Sequence, residues 1–433
     1  MNRVYPKTRL LLCSLLLLAC SFGLAQAYER VGNQVVQGNA RFAVLDDGLI
    51  RLEYAPDGAF DDQTTALVTN RRFSEVPYTV VEQAELLEIK TARLTLRYKG
   101  TEAFAQGNLM LLWATDGGTA TWQPGQQDPL NLGGTRTSLD VMNSSNLYAV
   151  ESGVLSRSGW FLLDDTNSPL WDTTEQWITE RPQPRGQDCY FFCYGLDYAQ
   201  GLRWYTQLCG PIPVPPKFAF GAWYSRYWPF TQAEEEAIVK RFQELDIPLD
   251  VLVSDVDWHL YGWTGYDWNR DLFPDPAGFV GFLKQNQVKL SFNDHPGVLS
   301  KEDSHYQAYV DQANPELTDT GARVNHAVKA QSEAFFNVVH HDLLDQGMDF
   351  TWIDGCAAGM DGLNCFLWTN RCYYLDTQQH TGKRGLIFSR YGGLGTHRYP
   401  LGFSGDTYSE WGVLEYEVDR KSTRLNSSHV SQS

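Results

Sequence analysis

Between residue 28 and about residue 211 the chain alternates apolar and polar residues with a period of two. RFAVLDDGLIRLEYA (41–55) and ARLTLRYKG (92–100) carry the pattern most clearly, punctuated by Gly, Asp and Asn. That period sets one face of each strand against a core. Few stretches here have a helical period. The pattern predicts an antiparallel β-sandwich over residues 28–214. Pro211, Pro213, Pro215 and Pro216 then form a stiff joint that continues neither sheet nor helix.

Beyond the joint the rhythm changes to strand, helix, strand, helix. The apolar strand-like runs are FAFGAWYS, DVLVSDVDW, VKLSFNDHP, MDFTWIDG, GLIFSRY and LGFSGDT. Helical patterns such as TQAEEEAIVKRFQELD (231–246) and SEAFFNVVHHDLLDQG (332–347) lie between them. Thr231 and Glu234 have the spacing of a capping box. Alternating β and α units imply a parallel sheet, and polar residues crowd the C-terminal end of every strand. In a βα barrel that end holds the active site. Six strands are legible where a closed barrel needs eight, so residues 215–418 are expected to form an incomplete (β/α)8 barrel.

The two ends carry separate signals. Arg3, Lys7 and Arg9, the apolar Leu10 to Ala19 and the closing Ala25-Gln26-Ala27 make residues 1–27 an export leader, too short in its apolar core to span a bilayer. A rival reading takes LLAC at Leu17 to Cys20 as a lipoprotein box with Cys20 lipidated. Either way the protein is expected to leave the cytoplasm, for the periplasm or the exterior. No later segment is apolar enough for a membrane helix. At the other end, DRKSTRLNSSH (419–429) back-translates codon for codon into a common short-read sequencing adapter. Residues 419–433 are therefore read as an artefactual tail on a truncated gene model.

Composition narrows the partners. A formal charge of −17 and a pI near 4.9 argue against nucleic acid, whose phosphates demand a basic face. The 14 Trp and 22 Tyr fit aromatic-rich β structure, and also fit sugar rings stacking on flat aromatic faces. Six cysteines follow the leader: Cys189, Cys193, Cys209, Cys356, Cys365 and Cys372. An even count in an exported chain permits disulfides without giving their pairing. Without a paired Cys-x-x-Cys or Cys/His cluster, zinc is not expected.

The chemistry concentrates in FTWIDG (350–355) and LIFSRYGGLGTHRYPLGFSGDT (386–407). Asp354 and Asp406 each follow an apolar β-type run, with Arg390 between them. Two carboxylates delivered by separate strands are what glycosidic cleavage needs, one for the anomeric carbon and one to protonate the leaving oxygen.

These segments, with PPKFAFGAW (215–223), DIPLDVLVSDVDW (246–258) and GYDWNRDLFPDP (265–276), resemble the catalytic barrel of glycoside hydrolase family 31, the retaining α-glycosidases. The β-rich region before them is similar to that family's N-terminal sandwich. The resemblance implies Asp354 as nucleophile and Asp406 as general acid/base. It also implies Arg390 and Asp255 as ligands of the sugar in the reacting subsite, Trp352 as a wall beside the nucleophile, and His295 as a further sugar contact. The family usually continues the nucleophile motif with Met-Asn-Glu, where this chain has Gly355-Cys356-Ala357. His295 stands where many α-glucosidases of the family carry an aromatic. These departures point away from maltose-type enzymes, toward the family's α-N-acetylgalactosaminidase-like branch or an α-galactosidase specificity. A carbohydrate substrate is expected, with no metal and no organic cofactor, since carboxylates supply acid, base and nucleophile. The competing class is a non-catalytic carbohydrate-binding relative or an inactive fragment.

Overall fold

The computed structural model describes residues 28–83, 86–134, 143–146, 151–183, 186–390 and 392–415. The leader with Cys20 and the tail 419–433 lie outside the described residues.

The first unit is built from two antiparallel sheets. Six strands run in the order Glu29–Val31, Gln34–Gln37, Ala40–Asp46, Leu49–Tyr54, Gln187–Cys193, Trp160–Asp164. A five-stranded meander, from Thr79–Gln83 to Gly118–Trp122, packs on it. Phe42, Ile50 and Leu52 of the larger sheet share one core with Leu87, Ile89, Leu96 and Leu111 of the smaller. In Leu94–Lys99 burial alternates as the sequence does. Ala40–Asp46 and Leu49–Tyr54 are instead buried almost throughout. The cause is a helix the period-two reading passed over, Tyr198–Cys209. Its Trp204, Tyr205, Leu208 and Cys209 cover the second face of the six-stranded sheet, against Leu45, Leu49, Phe161 and Phe192. A sheet covered on both faces has no polar side to alternate with.

The second unit is a parallel sheet whose six strands pair in chain order: β1 Trp223–Ser225, β2 Val251–Ser254, β3 Lys289–Asp294, β4 Phe350–Ile353, β5 Ile387–Arg390 and β6 Gly402–Phe403. All five pairings are parallel. The sheet is curled. The Trp223 ring of β1 lies 5.2 Å from Phe350 of β4 and 5.3 Å from Phe388 of β5. In a flat sheet those strands would stand roughly 14 and 19 Å away. Val251, Val253, Phe350, Trp352, Phe388 and Phe403 fill the concave side. Leu252, Leu290, Phe292, Ile353 and Ile387 face outward into the helices.

Helix Gln232–Glu244 starts with the predicted capping box, Glu234 N–H donating to Thr231 Oγ1 and Thr231 N–H to Glu234 Oε2. The second predicted helix is broken by a π-helical turn, Phe336–His340, between Lys329–Phe335 and His341–Gln346. Among the described residues only a short 3-10 turn, Thr396–Arg398, lies between β5 and β6, so strict β/α alternation fails there. The two units interlock: Trp177 Nε1 donates to Ala327 O, Arg398 Nη2 donates to Ala66 O, and Trp177 packs edge-on against Trp368. No described helix is long and apolar enough to cross a membrane.

One buried acid braces the sheet behind the site. Glu235 receives a hydrogen bond of 2.8 Å from Ser254 Oγ, and burial pushes its carboxyl up to about 8, with Ser254 opposing and Asp255 adding. A raised folded-state value means the fold holds a proton that the unfolded chain has released. Stability therefore falls as pH rises from the ordinary glutamate range through about 8. Glu235→Gln should flatten that fall, read as Tm against pH between 5 and 9.

Candidate active site

The site sits at the C-terminal end of the curled sheet, because residues there leave the strands just as their side chains turn inward. Asp354 follows β4, and its N–H donates to Asp294 O, extending the β3–β4 pairing by one rung. Its side chain is 9 % exposed. Three groups surround the carboxylate. Arg390 Nη2, from the end of β5, lies 2.6 Å from Oδ1. Asn293 Nδ2, from β3, donates to Oδ2 at 3.0 Å, and His295 Nε2 stands 3.4 Å from the same oxygen.

Asp406 comes from the turn after β6. Gly405, with φ of +91°, makes the turn that presents it, a conformation costly for any residue with a Cβ. The Asp406 side chain is 75 % exposed, and its Oδ2 lies 3.5 Å from Arg390 Nη2. Both carboxylates thus meet the same nitrogen, so these two oxygens are within about 6 Å of each other. Retaining glycosidases need about 5–5.5 Å between the carboxyls, inverting ones about 6.5–9.5 Å. That bound lies nearer the retaining spacing, in which one carboxylate attacks the sugar directly.

Asp255 ends β2 and caps the 3-10 turn Val256–Trp258 by accepting from Val256 N–H. Burial pushes its carboxyl up to about 6, the Val256 hydrogen bond opposes this, and Asp257 and Asp406 add to it. Burial also pushes Asp354 up to about 7, opposed by the Asn293 hydrogen bond and reinforced by Asp406 and Asp255. The adjacent guanidinium favours the ionised form. Asp354 and Asp255, buried and facing one another's charge, retain protons more readily than isolated acids do.

Of the residues anticipated from sequence, Asp255, His295, Asp354, Arg390 and Asp406 converge on this cluster. Trp352 lies beneath it, buried in the concave core against Phe388 and Phe403 at 5.6 and 5.5 Å, rather than forming an open wall. Two residues were missed. Asn293 was hidden in an apolar run, though it is two residues before His295 on the same strand-like segment. Trp263, on the loop after β2, packs against His295, and sequence could place it only on that loop.

Cys356 and Cys365 form a disulfide that closes the loop directly after Asp354, while Cys189, Cys193, Cys209 and Cys372 are free thiols. Gly355 is uncrowded: a Cβ there would meet Pro296 Cδ in ordinary contact at 3.9 Å. Among the described residues, Asp267, Asp303 and His305 lie close enough to share an ion. Their ligand atoms already bond one another, Ser304 and Asp342.

Arg390 is the cation on which this arrangement turns. In Arg390→Met the buried carboxylate of Asp354 loses its partner, a loss worth about 3–5 kcal/mol in such pairs. Its protonated form then gains ground, so kcat/KM at pH 7 should fall at least a hundred-fold and the acid limb of the pH profile should move upward.

Residues 212–431 match the glycosyl hydrolases family 31 TIM-barrel domain. That is more than half of the chain, which belongs to glycoside hydrolase family 31. Among similar proteins, an α-xylosidase of Saccharolobus solfataricus is 25% identical over 253 residues, covering 53% of this chain and 34% of that one. Alpha-glucosidase 2 of Bacillus thermoamyloliquefaciens is 38% identical over 120 residues, 28% of this chain and 15% of that one. The chain spans about a third or less of the length of these relatives. A family 31 dextranase of Flavobacterium johnsoniae, solved with isomaltotriose, superposes with a TM-score of 0.69 over 92% of this chain and 59% of that one. At 18% identity this likeness concerns the fold.

Proposed function

We propose that this protein is a retaining, exo-acting α-glycosidase that hydrolyses terminal α-linked sugars. The observation that carries this is the pair Asp354 and Asp406, held around Arg390 within about 6 Å. In the first step an Asp354 oxygen attacks the anomeric carbon, the bond to the aglycone oxygen breaks, and Asp406 gives that oxygen its proton. In the second step Asp406 takes a proton from water, whose oxygen attacks the same carbon and frees the Asp354 carboxylate. Two inversions retain configuration. Arg390 and Asp255 hold the hydroxyls of the reacting sugar. The same paired geometry disfavours a purely carbohydrate-binding role.

The six parallel strands are read as six of the eight of a (β/α)8 barrel. Their chain-order pairing, their concave apolar core and the family match support that reading. Export through residues 1–27, with a mature start at Tyr28 or at a lipidated Cys20, rests on the leader pattern. Intact mass of the protein recovered from cell envelopes separates the two starts.

The names of the relatives favour α-xylosides and α-glucosides as substrates. The uncrowded position of Gly355, beside the nucleophile, favours a sugar with a bulkier substituent, such as the 2-acetamido group of an α-N-acetylgalactosaminide. Nitrophenol release from α-glucoside, α-xyloside, α-galactoside and α-N-acetylgalactosaminide tests both. Turnover of none would overturn the enzymatic reading.

A further inference from the structure

His295 is the first residue after β3, and it does more than border the pocket. Its Nε2 lies 3.4 Å from Asp354 Oδ2, the oxygen that also accepts from Asn293. On its other side the imidazole meets the Trp263 ring, centroids 4.2 Å apart and planes at 82°. His295 Nδ1 is buried and has no hydrogen-bond partner among the described residues. A neutral imidazole carries a single N–H. With that hydrogen on Nε2 the ring faces the nucleophile at 3.4 Å, a distance that a slight closure turns into a hydrogen bond, and Nδ1 is the bare nitrogen that needs no acceptor.

We infer that Trp263 and His295 act as one positioning unit for the nucleophile, the indole holding a neutral imidazole whose Nε2–H donates to Asp354 Oδ2. The inference rests on Asp354 being the nucleophile, as proposed above. The unit favours the ionised carboxylate without placing a second full positive charge beside Arg390. It also fixes the plane of the carboxylate, whose two oxygens are then held from opposite sides, Oδ1 by Arg390 and Oδ2 by Asn293 and His295. When the glycosyl–enzyme forms, charge leaves the carboxylate and this hydrogen bond weakens. It strengthens again as the second step restores the charge.

The surroundings agree with a neutral ring. Burial, with His259 acting in the same direction, holds His295 down to about 4, against the opposing charge of Asp406. The other groups that bear on it are Asp354, Arg390 through its pair with Asp354, and Asp255 through its charge on Asp354. Trp263 itself is 55% exposed, so part of the indole stays open while its ring packs on the imidazole.

The test compares His295→Ala, His295→Gln, Trp263→Ala and Trp263→Phe with the unaltered protein, using the best aryl α-glycoside of the panel and Tm as a check on folding. His295→Ala should lower kcat about ten- to a hundred-fold with KM changed less than three-fold. It should also move the acid limb of kcat/KM upward by half a pH unit or more. His295→Gln, which keeps a donor, should recover part of both effects. Trp263→Ala should hydrate the imidazole and shift the acid limb, whereas Trp263→Phe should not. A rise in KM alone, with kcat and the acid limb unmoved, would overturn the inference and leave His295 as a sugar contact. An unaltered protein that turns over no glycoside would overturn this inference together with the enzymatic reading. An active one with an unmoved limb in His295→Ala would overturn this inference alone.

Discussion

Asp354→Asn should lower kcat on an aryl α-glycoside by about ten-thousand-fold, roughly 5.4 kcal/mol of lost transition-state stabilisation, with Tm shifted by only a few degrees. The amide nitrogen and oxygen occupy the places of the two carboxylate oxygens, so the volume of this nearly buried side chain is conserved. What disappears is the anionic attack on the anomeric carbon, for which the site offers no substitute: Asp255 is tied to Val256 N–H, and Asp406 lies on the other side of Arg390. Stability changes little because Arg390 keeps Asp406 as a partner at 3.5 Å and the buried carboxylate no longer has to be desolvated. Steady-state kinetics together with a melting curve check both halves. A residual rate near that of the unaltered protein would remove Asp354 from the chemistry.

Asp406→Ala should produce a loss that depends on the leaving group. For an alkyl aglycone, whose oxygen must be protonated as the bond breaks, kcat/KM should fall about a thousand-fold or more. For a good leaving group such as dinitrophenolate or fluoride the first step needs no acid, so kcat/KM should fall less than ten-fold. With the first step intact and the second lacking its base, glycosyl–enzyme should accumulate. Azide, which attacks without a base, should then speed turnover and give the α-glycosyl azide. The exposure of the Asp406 side chain leaves an open path for that small anion. An equal loss for both kinds of aglycone would show that Asp406 is not the acid.

Much of this site was legible before any coordinates, because chemistry at the end of a parallel strand is written locally. An apolar run followed at once by Asp354, Arg390 or Asp406 marks the point where a chain leaves the sheet. The six parallel strands followed from the same runs, and the helix start at Thr231 from two residues three apart. The missed features depend on tertiary partners. The helix Tyr198–Cys209 was overlooked because its apolar residues, five of them buried, are interrupted by polar ones in a region dominated by strand patterns. The π-helical break at Phe336–His340 leaves the helical period almost intact. Asn293 gains its role from the pairing of β3 with β4, and Trp263 from the reach of the loop after β2 to His295. The Cys356–Cys365 pairing likewise needed the fold. Trp352, beside the nucleophile in sequence, lies beneath it in the concave core, since residues two apart on a strand share a face.

The central claim is that Asp354 becomes covalently glycosylated during turnover. A 5-fluoro-α-glycosyl fluoride of the preferred sugar slows the second step more than the first and so traps that intermediate. Proteolysis and mass spectrometry of the inactivated protein should then find one glycosyl adduct, on the peptide carrying Asp354 and at that residue. An adduct on another side chain, or turnover of the unfluorinated substrate with inversion at the anomeric carbon and no adduct at all, would contradict the account.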